Sequence, residues 1–428
     1  MSMAIAGGGA GQDRRNAAYG WYVVFVLMLC QVLSAVDSRL PFIMVEAIKR
    51  DLQLSDTQIG LITGAAFSLT YALSAIPIAR LSDRGNRVAV IGTAIAIWSG
   101  FTALAGLTRG FGTFALSRIG VAAAESALTP AAHAIISSHL DGPSRPKGLA
   151  VFSVGIAIGA FVALALGGYV ADRLGWRTAF MLVGGAGALL VPLVLFTVRE
   201  PAQPTREKDA PPPHGSVATL VRDPVVRNVI LGGTLLAFSA GALNSWGPAY
   251  VMRTFDLSAT QTGASFGAVA GILATVGILA GGFTSSWLSK REPRHALTML
   301  SVAFSLAMIA QLGALLSESY SVFLGLIAIS VLFSSFYLGP TFAAIQSAVD
   351  PARRSFASAV ALFSINGIGI ASGSLVVGLL SDLLAAWTGS ESLRWALLCV
   401  TLAKAWSAAH YWRAGRFLPS SAEARHAQ

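Results

Sequence analysis

Long apolar runs, each about the length needed to cross a bilayer, recur along this chain and are parted by short polar breaks. A membrane helix needs roughly 20 mostly apolar residues. Such runs occupy about residues 20–47, 57–80, 87–108, 112–139, 146–171 and 176–198, then 226–252, 260–287, 295–316, 319–348, 355–383 and 393–415. The pattern predicts an all-α membrane protein with twelve transmembrane helices in two sets of six. Between the sets lies EPAQPTREKDAPPPHGS, residues 200–216, with five prolines and mixed charge. Proline at that density cannot continue a helix, and the segment has too little apolar surface to fold alone. The predicted organisation is a tail 1–19, a six-helix bundle 20–199, a linker 200–225, a second bundle 226–416 and a tail 417–428.

Composition agrees. The 428 residues are 54% hydrophobic and 12% charged, with mean hydropathy +0.67, whereas soluble domains carry about 25% charged residues. The net charge of +10 does not point to nucleic acid, because the basic residues fall in short clusters between apolar runs. About 20 of the 30 basic residues lie on the side that holds both ends of the chain. The Lys/Arg bias therefore predicts cytoplasmic termini. The short, basic, glycine-rich N-terminus reads as an uncleaved cytoplasmic tail. Cys30 and Cys399 lie far apart in apolar runs, so neither a disulfide framework nor a metal site is expected. The histidines never pair at ligand spacing, no nucleophile–base arrangement is evident, and no glycine-rich phosphate loop appears. Enzymatic chemistry and ATP-driven work are both disfavoured, and no cofactor is expected.

The two halves repeat at a spacing of about 205 residues. Leu54-Ser55-Asp56-Thr57-Gln58-Ile59-Gly60 returns as Leu257-Ser258-Ala259-Thr260-Gln261-Thr262-Gly263, each at the start of the second helix of its half, where Ser can cap exposed N–H groups. Pro130 returns as Pro340, each run ending at an aspartate, Asp141 and Asp350. In the fifth helix of each half, Gly159, Gly168 and Asp172 return as Gly369, Gly378 and Asp382. Parallel repeats around an axis normal to the membrane place a cavity between the halves, near the midplane.

Ionisable residues inside membrane spans are expensive and mark function by default. Asp37 in the first helix and Arg118, Glu125 and His133 in the fourth stand out. Arg118 and Glu125 share one helix face two turns apart, roughly 10 Å along the axis, too far for a direct pair, and a third group such as Asp37 could bridge the charge. Such a cluster is either a static ion pair that holds helices together or a site of proton or substrate coupling. Of the two charges in the fourth helix, a carboxyl group in a low-dielectric site is the better proton carrier, because arginine stays charged. His133 reads equally as a packing residue. Aligning Pro41 with Pro248 puts Asn244 at the place of Asp37, so the second half lacks a matching acid. It offers a mostly apolar wall with Phe333, Phe336 and Tyr337, alongside the polar Gln346 and Asn366. One charged wall and one apolar wall suit an amphipathic substrate.

The loop Ala79-Arg80-Leu81-Ser82-Asp83-Arg84-Gly85-Asn86-Arg87 resembles the GxLaDRxGRR signature of the major facilitator superfamily, matching at Asp83, Arg84 and Arg87 and departing at Ala79, Asn86 and Val88. Arg118 followed by Glu125-Ser126, with Pro130 and His133 beyond, is similar to the spinster-type branch, as is GGYVADRLGWRTAF through TVREP. The family's first-helix Asp-Arg is here Asp37-Ser38, with Arg39 one place on. The resemblance implies the major facilitator fold, a monomer in a bacterial inner membrane, and a cytoplasmic gate at Asp83, Arg84 and Arg87. It also associates the first-helix acid and the Arg118–Glu125 pair with proton coupling and substrate binding; from residue type and place, Glu125 and Asp37 are expected to carry the proton, and Arg118, His133, Asn244, Phe333 and Tyr337 to bind or gate the substrate. The expected activity is proton-coupled secondary transport of a small amphipathic or anionic organic molecule, lysolipid-like compounds included. An ordinary organic-acid or drug transporter and a non-transporting sensor remain open alternatives.

Overall fold

The computed structural model describes residues 6–140, 144–201, 216–350 and 353–418, leaving aside the side chains of residues 6–17, 83, 84, 293 and 355. Pro204, Pro211, Pro212, Pro213 and Asp141 lie outside the described residues. Among the described residues, eleven apolar helical stretches are long enough to cross a membrane. They are α1 Ala18–Ile43, α2 Asp56–Ser82, α3 Arg87–Ala105, α4 Phe111–His139, α5 Ser144–Leu174, α6 Trp176–Thr197, α7 Pro224–Phe255, α8 Ala259–Ser289, α9 Arg294–Leu315, α10 Tyr320–Ala348, and a stretch Phe356–Phe417. That stretch has 62 residues, about three times one crossing. It breaks at the left-handed Gly389 and the 3-10 turn Gly389–Glu391, then folds back on itself. The segments 356–388 and 392–417 are therefore α11 and α12, and the fold is a twelve-helix bundle. An even number of crossings puts both chain ends on one side, here the terminal end; the opposite side is the distal end.

The repeat is visible in local detail. Gln53 and Asp256 are the described non-glycine residues with positive φ, 52° and 51°, and each closes the helix before a capping serine. Ser55 accepts from the Gln58 N–H while Gln58 reaches back to the Ser55 N–H, and Ser258 and Gln261 do the same. Within the first half α1 packs along α5 and α3 along α6, and in the second α7 and α9 pack on α12. Across the halves α5 meets α8 and α11 meets α2.

Several spans are irregular part-way along their length. The α4 span is interrupted by a turn at Ser126–Ala127, and α10 by the 3-10 turn Ser335–Tyr337. π-Helical segments interrupt α2 at Leu61–Ala66, α8 at Val269–Leu273 and α11 at Phe363–Ile370. Short irregular turns of this kind concentrate at functional sites.

Candidate functional site: a buried charge cluster and a two-fold latch

Asp37, Arg118 and Glu125 are each at most 2% exposed. Arg118 reaches from α4 to α1. Its Nη1 donates to Asp37 Oδ1 at 2.8 Å and its Nη2 to the Asp37 carbonyl oxygen at 3.1 Å. Thr102 of α3 donates to the other Asp37 oxygen. The Arg118 guanidinium also lies 5.2 Å from the Phe67 ring centroid and 6.0 Å from that of Phe180. Charge, hydrogen bonds and ring faces thus compensate its removal from water.

Glu125 is placed differently. It ends the first segment of α4, at the interruption. The Ser34 hydroxyl reaches its carboxyl group, but Oε1 is buried with no hydrogen-bond partner among the described residues. Asp37 does not bridge Arg118 to Glu125 by hydrogen bonds; it is already taken by Arg118 and Thr102. Arg39 stands near enough to act on Glu125 electrostatically, and Tyr71 of α2 stands close as well. The one-place shift of Arg39 still turns it towards the cluster. An arginine about half a turn from an inward acid gets there by the long reach of its side chain.

The other predicted residues are dispersed. His133 is exposed and packs edge-to-face on Phe152, with ring centroids 5.4 Å apart. Asn244 is the exposed residue in the buried run 241–251 of α7, so it faces open space from a tightly packed helix. Phe333, Phe336 and Tyr337 are half-buried around the α10 interruption. The side chains of Asp83 and Arg84 lie outside the described residues. Arg87 opens α3 directly after Asn86, whose side chain caps the Ala89 N–H at 2.8 Å. The departure from the signature at Asn86 therefore supplies a helix cap. A cavity of ≈ 570 Å³ near the terminal end of α8 and α10 is lined by Ser285, Lys290 and Pro340 and includes none of these residues.

The second half also buries a charge that the sequence reading did not single out: Lys404 of α12 is 1% exposed and bonded to side chains of α9 and α10. The signal was a lone lysine eleven residues inside the last run. Its nearness to the arginine-rich end of the chain makes it resemble a side chain snorkelling to the interface.

The repeated sequence motifs meet each other across the halves. Asp172, at the end of α5, accepts from the Thr260 N–H at 2.7 Å and the Thr260 hydroxyl at 2.6 Å, at the start of α8. Asp382, near the end of α11, accepts from the Asp56 and Thr57 N–H groups at 3.1 and 2.7 Å, at the start of α2. Each acid sits at a helix N-terminus, where negative charge is favoured. One turn before each acid is a glycine. A Cβ at Gly168 would collide with the Ala259 carbonyl, and one at Gly378 with the Asp56 carbonyl. The α2 side carries a further clamp. Arg253 of α7 forks onto Asp56 with two 2.9 Å bonds and reaches Glu46 at 2.8 Å, while Lys49 and Ser381 also hold Asp56. Among the described residues, the hydrogen bonds that join the halves all lie at this distal end, with one Thr63–Ser374 contact at 3.3 Å deeper in.

Comparison with known proteins matches the same frame. Residues 27–374 match the family model described as Major Facilitator Superfamily. The chain is 36% identical over 396 residues to a protein named MFS-type efflux pump from Mycolicibacterium smegmatis, covering 91% of each. It is 26% identical over 393 residues to protein spinster homolog 1 of Xenopus tropicalis, covering 84% of this chain and 72% of that one. A crystal structure of a bacterial homologue of the human lysosomal transporter Spinster, inward-facing and unoccupied, superposes with a TM-score of 0.83 at 26% identity, over 93% of this chain and 97% of the other. A twelve-helix bundle with two-fold repeats, latched at one end and charged in one half, thus belongs to the Major Facilitator Superfamily, as a spinster-like transporter in a membrane.

Proposed function

We propose that this chain is a proton-coupled secondary transporter that carries a small amphipathic or anionic organic molecule by alternating access, with Glu125 as the proton carrier. The observation that supports it most is the unpartnered Oε1 of a fully buried Glu125, beside an Arg118–Asp37 pair that is complete without it. A buried carboxylate with an open oxygen is stable when it holds a proton. When it loses that proton it needs a cation, and Arg118 and Arg39 are the two at hand. Recruiting either one rearranges α1 against α4. Asp37 serves as the standing counter-ion of Arg118, and a carried anion competes for the same guanidinium groups. Asn244, Phe333 and Tyr337 offer the polar and aromatic face opposite. The distal latch is the closed gate of the state seen here, and the loop with Asp83, Arg84 and Arg87 is the gate of the alternate state, on the cytoplasmic side of a bacterial inner membrane. The name of the M. smegmatis relative favours the outward direction for the cargo.

Proton movement into proteoliposomes tests this, comparing wild type with Glu125→Gln across lysophospholipids and organic anions. The reading predicts that at least one compound drives proton flux, and that Glu125→Gln lowers that flux by at least about a hundredfold while the compound still binds. Normal coupled flux in Glu125→Gln would sink it.

A further inference from the structure

Lys404 is held by three oxygens from two neighbouring helices. Its Nζ lies 2.6 Å from Gln311 Oε1 of α9, and 2.9 and 3.0 Å from the Ser330 and Ser334 hydroxyls of α10. An ammonium has three N–H donors and no acceptor, so the three oxygens match its protonated form. Two of them are oriented by other bonds. Gln311 Nε2 donates to Thr401 Oγ1 at 2.7 Å, and that hydroxyl donates to the Leu397 carbonyl, which leaves Gln311 Oε1 turned towards Nζ. Ser330 donates to Gln311 Oε1 at 3.3 Å, which frees its lone pairs for Nζ.

No acid completes this cage. Among the described residues no carboxylate forms an ion pair with Lys404. The titratable groups on the helices packed around it are turned elsewhere. On α7, Tyr250 binds the Leu315 carbonyl and Arg253 the Glu46–Asp56 clamp, while Arg227 lies near the terminal end. On α9, Arg294 and His295 sit at the terminal end, Arg294 paired with Glu292. On α10, Tyr320 meets Ser265, and Tyr337 lies towards Tyr411. Asp382 of α11 caps α2, and on α12 Arg394 pairs with Glu391, His410 with Asn228 and Tyr411 with Thr341, leaving Arg413 and Arg416 in the last turns. A buried ammonium without a counter-anion is costly, and lysine, unlike arginine, escapes that cost by releasing its proton.

We propose that Lys404 is a proton-binding site of the C-terminal half, whose occupancy decides how firmly α9 and α12 grip α10 at its interruption. Ser334 is the last residue before the 3-10 turn Ser335–Tyr337. With the proton bound, Nζ donates to all three oxygens and ties α10 to α9 and α12. Release of H⁺ leaves an amine with two N–H groups and a lone pair, and the Ser334 hydroxyl turns to donate into that lone pair. The segment carrying Phe333, Phe336 and Tyr337 is then held by a neutral contact in place of a charge-assisted one, which is about half as strong. The site stands apart from Glu125, in the other half, and does not depend on the role given to that residue.

The test uses the full chain in lipid nanodiscs with protons as the only ligand. Spin labels at Ser347→Cys and Trp412→Cys, in a Cys30→Ser, Cys399→Ser background, report the α10–α12 distance from about pH 5 to about pH 10, the interval below the ordinary lysine range. The wild-type background should show a pH-dependent change in the distance distribution. Lys404→Met, permanently neutral, should hold the high-pH distribution throughout, and Lys404→Arg, permanently charged, the low-pH one. Gln311→Leu, which removes one acceptor of the charged form, should move the midpoint to about tenfold higher proton concentration. Glu125→Gln should keep the transition, which separates this site from the one in the first half. If Lys404→Met titrates with the wild-type midpoint and amplitude, or if the wild-type background does not respond to pH, Lys404 is a static brace and the proposal fails. Should Lys404→Arg not fold, Lys404→Met and Gln311→Leu decide the matter alone.

Discussion

The two halves are nearly the same at the distal end and unlike in their centres. At the distal end each supplies a capping serine with its glutamine, a close-approach glycine and an acid seated on the other half's helix terminus. In the centre, the first half buries an Arg118–Asp37 pair beside a free acid, and the second buries a lone Lys404 in a cage of neutral oxygens. The difference follows from what each region faces. Distal surfaces meet their two-fold counterparts, so a change in one copy must suit the other half. Central groups pack inside their own half and are free to diverge. The seam is shared, and the buried charges are divided.

The largest effect expected of this comparison is at Arg118. Arg118→Ala leaves Asp37 buried and unpaired, a loss of about 3–5 kcal/mol. Thermal unfolding in detergent should show it, and adding Asp37→Asn should restore at least half. No rescue would mean that the packing of Arg118 on Phe67 and Phe180 matters more than its charge. Next in size is the close approach at the latch. Gly168→Leu and Gly378→Leu should each disfavour the closed distal end by about 1–3 kcal/mol, read as label distances across that end. Equal shifts sharpen the symmetry, whereas tolerance at one site and not the other would break it. The smallest effect is at the caps. Asp172→Asn and Asp382→Asn should each weaken the latch by about 0.5–1 kcal/mol and add in the double variant. A clearly larger effect at Asp382 would show that the Arg253–Asp56 clamp depends on it.

Much of this frame was readable beforehand. The length of apolar runs marks the spans because the hydrocarbon thickness leaves few alternatives. The repeat was equally plain in Ser55-Gln58 and Ser258-Gln261. What the echoes do was hidden, since periodicity shows that Asp172 and Asp382 correspond but not that each caps a helix of the opposite half. The charge cluster was found by residue type, but its pairing was not. Residue type allows Asp37 to bridge to Glu125, whereas the distances give it to Arg118 and Thr102. Arg39 stands one place on from the family's position, and a side chain of that length tolerates a shift of one position. Lys404 was passed over because hydropathy cannot separate a lysine that reaches for water from one enclosed by serines and a glutamine.

The π-helical segment Leu61–Ala66 has a further consequence. Ahead of it α2 lies against α11, and beyond it α2 packs on α4 as well as on α11. The wider turn stores one residue, so one continuous helix can serve two partners that lie in different directions. Deleting a single residue there would restore ordinary winding and rotate everything on one side by about 100°. The serine cap and the aspartate seat would keep their sequence and lose their aim. In this helix, the count of residues between latch and centre works as a dial setting, as much a part of the design as the residues themselves.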